Sequence, residues 1–369
     1  MIIRKLAFCH FRNLKDGCIF PCETMNVITG ENGQGKTNLI EALWLFNGVK
    51  SFRNAKDREL IAFRKSTAEL EIEFYASERE QNARIRLLNG KRENYLNEIK
   101  KPSSAYLMGK ITSVVFSPEN LSLIKAGPSA RRKFIDSAIC QVKPKYAVSL
   151  AKYNKILEQR NALLKENRKY SNFEQVLEIW DSELSATGSV IVAERIKYIR
   201  RLSACAGKYH SGISDNREML TVSYRPRYDT NTDILQIAAD FQQSLKKHRS
   251  EDITYGFTTR GIHRDDIAVT INGKDARLYA SQGQQRSAVL SLKLAQASLI
   301  DQITQTKPAI LLDDVLSELD RERQNFLLNE IKDTQVFITC CEYPKTDVPF
   351  SGKVFRVSRG IISEEKDID

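Results

Sequence analysis

The sequence predicts an α/β protein with an α/β unit at each end of the chain and a mainly helical unit between them. Three observations predict it. Residues 25–46 read as an apolar strand, a glycine-rich loop and a helix. Residues 119–209 are poor in glycine and rich in helix formers. Residues 309–314 and 336–339 return to short apolar strands, the first of them ending in two aspartates.

Each element has its own signal. Met25-Asn26-Val27-Ile28-Thr29 is a short apolar run, and residues 38–46 follow as a helix. Ala68-Glu69-Leu70-Glu71-Ile72-Glu73-Phe74 alternates strictly, which puts one face of a strand in a core and carboxylates on the other. Residues 83–88 run into Asn89-Gly90, a hairpin turn signal. Residues 111–116 form another strand, closed by Ser117-Pro118. In the middle, Leu150, Tyr153, Leu157 and Leu164 recur at helical spacing, as do Val176, Trp180 and Leu184, so a packed helical subdomain is expected rather than a coiled-coil arm. Residues 267–271 and Asn272-Gly273-Lys274 read as a hairpin, and residues 287–303 as a long helix. Pro308 is compatible with a strand starting at Ala309.

Composition bounds the function. Net charge is +11, from 57 Lys and Arg against 46 Asp and Glu, which favours a polyanionic partner. The opening Met1-Ile2-Ile3-Arg4-Lys5-Leu6 does not read as a signal peptide, and no apolar run approaches a membrane span, so a cytoplasmic protein with no membrane partner is expected. Seven cysteines fit free thiols in a reducing compartment. Cys18 and Cys22 have no second Cys/His pair at zinc spacing, and with four histidines in the chain they read as ordinary thiols.

The strongest motif is Gly30-Glu31-Asn32-Gly33-Gln34-Gly35-Lys36-Thr37, a full match to the phosphate-binding loop pattern between a strand and a helix. Its backbone N–H groups and the helix start would cradle the phosphates of ATP. Lys36 would reach the β- and γ-phosphates, and the Thr37 hydroxyl would bind Mg²⁺. Ile310-Leu311-Leu312-Asp313-Asp314 fits a Walker B strand. Asp313 would hold Mg²⁺ through water, and Asp314 would orient or deprotonate the attacking water.

Ser281-Gln282-Gly283-Gln284-Gln285-Arg286-Ser287 precedes the long helix and resembles the signature motif of ABC-type ATPases; Val315-Leu316-Ser317-Glu318-Leu319-Asp320 resembles their D-loop. With Phe11-Arg12-Asn13-Leu14, Phe116-Ser117-Pro118-Glu119-Asn120-Leu121, Arg131-Arg132-Lys133-Phe134 and His263-Arg264-Asp265-Asp266, the set resembles the RecF family of ABC/SMC-type ATPases, in family order from residue 11 to 320. Departures exist. Many ABC ATPases carry Glu at the place of Asp314 and His where Thr339-Cys340-Cys341 stands. Asn120 stands where the family has Asp, and Glu119-Asn120 is the nearest candidate for a Q-loop. His263-Arg264-Asp265 mimics a kinase catalytic triplet, but Thr270 stands where its Asn belongs and no Asp-Phe-Gly follows, so a turn or a family-specific contact is expected.

The resemblance implies an ABC-type ATPase head with no long coiled coil. Residues 1–118 would be the first part of the ATPase lobe, 119–290 the largely helical lobe ending in the signature motif, and 291–369 the second part with Walker B and D-loop. It implies that Ser281, Gly283 and Gln284 grip the γ-phosphate of ATP held by a partner copy, making an ATP-dependent homodimer, and that Arg12 and Asn13 lie at the nucleotide. It implies a slow, DNA-stimulated ATPase acting on gapped or junction DNA, with RecR and RecO as partners, supporting RecA loading, replication restart and the SOS response. Arg131, Arg132, Lys133, Arg200 and Arg201 are the candidate DNA contacts. A competing reading, the nucleotide-binding subunit of a membrane transporter, shares the three motifs but not the 245-residue separation of Lys36 from Ser281.

Overall fold

The computed structural model describes residues 1–121, 123–166, 172–226, 233–341 and 351–368. It divides into two compact units: Met1–Ser122 with Cys205–Met219 and Ala280–Asp369, and Leu123–Ala204 with Leu220–Tyr279. Residues 205–219 and 280–290, placed by sequence in the helical lobe, cluster with the first unit. His210 Nδ1 lies 3.3 Å from Ser291 Oγ, and Gln284 Nε2 donates to Glu218 Oε1 at 2.7 Å, so the two stretches pin each other.

The first unit holds two six-stranded sheets. One is antiparallel in the order β2-β1-β4-β5-β6-β7, from β1 (Ile2–Cys9), β2 (Gly17–Ile19), β4 (Thr67–Ala76), β5 (Arg79–Leu88), β6 (Lys91–Leu96) and β7 (Ile99–Lys101). The alternation in β4 does what it predicts: Ala68, Leu70, Ile72 and Phe74 are buried while Glu69, Glu71 and Glu73 are not. Asn89-Gly90 turns β5 into β6 with both φ positive, as a tight hairpin requires.

The other sheet runs β15-β14-β3-β13-β12-β8, from β3 (Met25–Thr29), β8 (Ser113–Phe116), β12 (Ala309–Asp313), β13 (Val336–Cys340), β14 (Gly352–Ser358) and β15 (Ile361–Ile368). All its pairings are parallel except β14 with β15. Its central strands are buried on both faces, which is why they read as apolar runs rather than alternations. Helix α1 (Lys36–Leu45) is buried on most of its surface, and one core joins its Leu39, Ile40 and Leu43 to Ile28, Leu311, Phe337 and Phe355 of this sheet and to Leu6, Phe8, Leu70, Ile72 and Phe74 of the other. The unit also contains α2 (Pro118–Leu121), α9 (Gln282–Thr304) and α10 (Arg321–Ile331).

The second unit is mainly helical, as the glycine-poor middle predicts. It has α3 (Pro128–Val142), α4 (Pro144–Lys165), most of the 41-residue α5 (Phe173–Ile213), α6 (Ile234–Lys247), α7 (Arg249–Tyr255) and α8 (Ala276–Tyr279). A three-stranded antiparallel sheet accompanies them, with β10 (Asp266–Ile271) between β11 (Lys274–Asp275) and β9 (Leu220–Arg225). Its interior carries paired charge: Arg160, fully buried, donates to Asp181 and Asp252 at 2.7 Å each. Among the described residues no helix is long and apolar enough to cross a membrane.

Candidate functional site

The glycine-rich loop joins the end of β3 to the start of α1, and two of its glycines are there for space. Gly30 has φ +146°, and a Cβ on it would stand 2.3 Å from Val357 O; Gly35 has φ +124°, and its Cβ would meet Leu14 and Asn13 within 3 Å. Lys36, 4% exposed, donates from Nζ to Gly30 O at 2.6 Å and to Glu31 O at 3.1 Å. Its cation therefore lies inside the curl of the loop, where a phosphate chain would run along the N–H groups.

Sheet register builds the rest. Strand β12 pairs with β13 so that Asp313 faces Thr339, and β13 pairs with β3 so that Cys340 faces Thr29 at the loop's root. Asp313 Oδ1 accepts from Thr37 Oγ1 at 2.9 Å and from Thr339 Oγ1 at 3.0 Å. Burial pushes the Asp313 carboxyl up to about 6, the two hydroxyls pull it back, and the charges of Asp314 and Glu119 push it further. A buried, costly carboxylate beside a threonine hydroxyl is a hard-oxygen donor set that fits Mg²⁺, whose charge would hold Asp313 ionised. Asp314 sits one residue on at φ +50°, with its N–H on Thr339 Oγ1 at 2.9 Å and its carbonyl accepting from Ser317 Oγ at 2.8 Å. That kink leads the chain away from the strand and turns Asp314 out of the ladder. Thr339 thus holds both aspartates.

The Ser281 motif opens α9 through a capping box. Ser281 Oγ accepts from Gln284 N at 3.2 Å, and Gln284 Oε1 accepts from Ser281 N at 2.8 Å. Glu218 fixes the other end of the Gln284 side chain, and Arg323 of α10 donates to Ser287 Oγ at 2.7 Å. Arg286 reaches the D-loop, donating to Glu318 O at 2.7 Å and Glu318 Oε2 at 2.8 Å. Ser281 is exposed, so its helix start presents free N–H groups to solvent.

Comparison with known proteins assigns the family. The chain matches the family described as RecF/RecN/SMC N terminal domain over residues 2–358. It is 40% identical to the DNA replication and repair protein RecF of Agathobacter rectalis, covering 98% of each chain, and 39% identical to that of Acetivibrio thermocellus, covering 93% and 94%. The chain belongs to the RecF family. Among solved structures, the recombination mediator protein RecF-ATPrS in the RecFOR pathway superposes with a TM-score of 0.92 at 34% identity, over 99% of this chain and 98% of that one. The corresponding RecF-ATP structure gives 0.91 at 35%, over 99% and 98%. An SMC head bound to the C-winged helix domain of ScpA, at 14% identity and TM-score 0.54, shares the fold. The α/β ATPase head expected from sequence is the observed fold.

Other residues singled out in this RecF-family chain fall in three groups. Asn13 flanks the phosphate loop. Asn13 Nδ2 donates to Gly33 O at 3.1 Å, whereas Arg12 makes a two-pronged bond to the fully buried Glu41 of α1, at 2.9 and 3.1 Å. Arg131 corrects a sequence expectation: it is 6% exposed, paired through two bonds of 2.9 Å with Asp266, and it donates to the Ile124 and Ala126 carbonyls. Arg132 is half-buried and donates to Asp265 O, whereas Lys133, Arg200 and Arg201 are exposed. His263 and Asp265 are interior scaffold. His263 lies 3.0 Å from both Tyr153 Oη and Thr258 O, and fully buried Asp265 accepts from Tyr224 Oη.

Sequence reasoning missed the β14–β15 hairpin. Its turn donates from Arg359 N to Gln34 Oε1 at 2.5 Å and from Gly360 N to Gln34 O at 3.1 Å, bracing the phosphate loop. The Arg359-Gly360 pair was the available turn signal. Glu41, Thr339 and Glu218 carry no local signal at all; only register and packing bring them in.

Proposed function

We propose that this RecF-family chain is a DNA-binding ATPase that dimerises around ATP and serves recombinational repair of gapped DNA and replication restart. The observation that carries the reading is the Thr37–Asp313 hydrogen bond at 2.9 Å, which puts the phosphate loop and the acidic strand end at one point. Relatives of full length named DNA replication and repair protein support it against the transporter alternative. So do the solved neighbours named RecF-ATP and RecF-ATPrS, in a pathway named RecFOR.

In this reading the loop N–H groups and Lys36 hold the β- and γ-phosphates. Thr37 and Asp313 would hold Mg²⁺, which would supply positive charge beside the phosphates. Asp314 aligns a water and accepts its proton as that water attacks the γ-phosphorus, releasing ADP and phosphate. Asp314 is one methylene shorter than the Glu that many ABC ATPases carry at this place, so turnover is slow. Ser281 and Gly283, at the exposed start of α9, complete the site of a second copy related by a two-fold axis. By resemblance to the family, the reading also takes in partners of the RecR, RecO and RecA type and a role in the SOS response.

The test is steady-state ATP turnover with and without gapped duplex. Turnover stimulated by DNA and abolished in Asp314→Asn, which still binds ATP, is the expected result. Wild-type turnover in Asp314→Asn refutes Asp314 as the water-positioning group, and turnover indifferent to DNA refutes the clamp.

A further inference from the structure

The turn between β1 and β2 carries Asn13 to the phosphate loop, and its two ends meet at Cys9, His10 and Asp16. Cys9 Sγ lies 3.3 Å from Asp16 Oδ2, and His10 Nε2 lies 3.6 Å from the same oxygen. One ligand atom from each of the three residues falls within 4.8 Å of the other two. Zinc bonds of about 2.0–2.3 Å to carboxylate, imidazole and thiolate imply tetrahedral edges of about 3.3–3.5 Å. The Cys9–Asp16 separation is already that of a tetrahedral edge, the His10–Asp16 separation is slightly longer, and the third pair lies within 4.8 Å, so small side-chain rotations bring all three onto one ion. Thiolate, imidazole and carboxylate together are also the donor types that zinc accepts.

The surroundings orient the set. The His10 N–H donates to Asp16 Oδ1 at 2.7 Å, which fixes that carboxylate and aims Oδ2 at the thiol and the imidazole. Cys9 and His10 are half-buried and Asp16 is exposed, so an ion can enter from solvent and keep one water.

We propose that Cys9 Sγ, His10 Nε2 and Asp16 Oδ2 form a zinc site with water as fourth ligand, which clips the two ends of the turn that supports the phosphate loop. On binding, the thiol proton now shared with Asp16 leaves to solvent and the Cys9 thiolate bonds the metal. The site lies outside the Mg²⁺-nucleotide centre and does not depend on the ATPase reading.

The experiment titrates the metal-free full chain with Co²⁺, a spectroscopic substitute for Zn²⁺. One Co²⁺ per chain with a thiolate-to-cobalt charge-transfer band, bleached by added Zn²⁺, is expected. Cys9→Ser should abolish the band while keeping the cooperative melt, because serine can donate to Asp16 as the thiol does. Asp16→Asn and His10→Ala should each weaken Co²⁺ binding by more than about tenfold. Cys205→Ser, elsewhere in the unit, should leave the band intact. No band in the wild-type chain, a band that survives Cys9→Ser, or one lost with Cys205→Ser overturns the proposal; in the first case Asp16 is only a cap on its own turn.

Discussion

The Thr37 hydroxyl donates to Asp313 Oδ1 at 2.9 Å across 276 positions of sequence. The bond links the helix start below the phosphates to the acidic end of β12, at the point where Mg²⁺ is proposed to sit. Thr37→Val keeps the side-chain shape and removes that oxygen. Nucleotide affinity measured with magnesium should fall by about tenfold or more, the scale of one charge-assisted bond, while affinity measured with chelator stays unchanged. An equal loss under both conditions would reject the assignment of Thr37 as a metal ligand.

Lys36 makes no ion pair among the described residues and donates only to Gly30 O, Glu31 O and the Cys341 sulfur. Its charge is available for phosphate. Lys36→Ala should weaken ATP binding by about 10- to 150-fold and leave the far-UV spectrum as it is. Calorimetry on a folded Lys36→Ala chain that shows wild-type affinity defeats the idea.

Ser281 has two roles that can be separated. Its capping of α9 is local, so Ser281→Arg should cost about 1 kcal/mol in thermal stability. Its proposed contact is with the nucleotide of another copy, so the same variant should bind ATP as a monomer. Sedimentation with ATP, ADP and no nucleotide reads this out. Wild type should dimerise with ATP alone, and a Ser281→Arg chain that dimerises with ATP contradicts the shared site.

The basic candidates should divide by burial. Arg131 is locked to Asp266 with its side chain 8% exposed, while that of Asp266 is 36% exposed, so Arg131→Ala should destabilise the chain by about 1–2 kcal/mol. Exposed Arg200 and Arg201 should behave otherwise: the double change to Glu should leave the melt unchanged, weaken DNA of every sequence alike, and flatten the dependence of log affinity on log salt. An unaltered salt slope removes these two from the DNA surface.

His263 makes acid stability a local matter. Burial, reinforced by the charges of Arg264, Arg132 and Arg160, drives its imidazole from 6.5 down to about 4 against the bond to Thr258 O. The folded state keeps this histidine neutral where the unfolded chain protonates it. The stabilisation is therefore complete above pH 6.5 and lost as pH falls from 6.5 through about 4, on the order of 3 kcal/mol in all. His263→Gln should lose less stability than wild type between pH 7 and 4 by that amount. Identical urea midpoints at both pH values for the two chains would show that His263 does not titrate in this window.

What the sequence determined by itself is whatever chemistry is written in consecutive residues. The loop from Gly30 to Thr37, the Asp313-Asp314 strand end and the Ser281 motif at a helix start each occupy one stretch. In each, local backbone geometry dictates residue type: glycine where φ is positive, carboxylate after an apolar strand, serine at a helix start. The strict alternation of residues 68–74 and the apolar runs at 25–29 and 309–312 likewise declared their environments, one-sided for the antiparallel sheet and two-sided for the parallel one. Tertiary structure alone decided the rest. Thr339 reaches both aspartates because β12 and β13 pair in one register, and a slip of one residue would turn its hydroxyl to the other face. Gln34 is braced by Arg359 and Gly360, and Arg12 is drawn to Glu41, through contacts between distant segments that leave no trace in local pattern. Arg131 shows the same from the other side. Next to Arg132 and Lys133 it reads as solvent-facing charge, and only the packing of α3 against β10 sets it inward onto Asp266. A positive charge looks alike in sequence whether it meets phosphate or a carboxylate of the same chain, because the partner that settles the question is chosen by the fold.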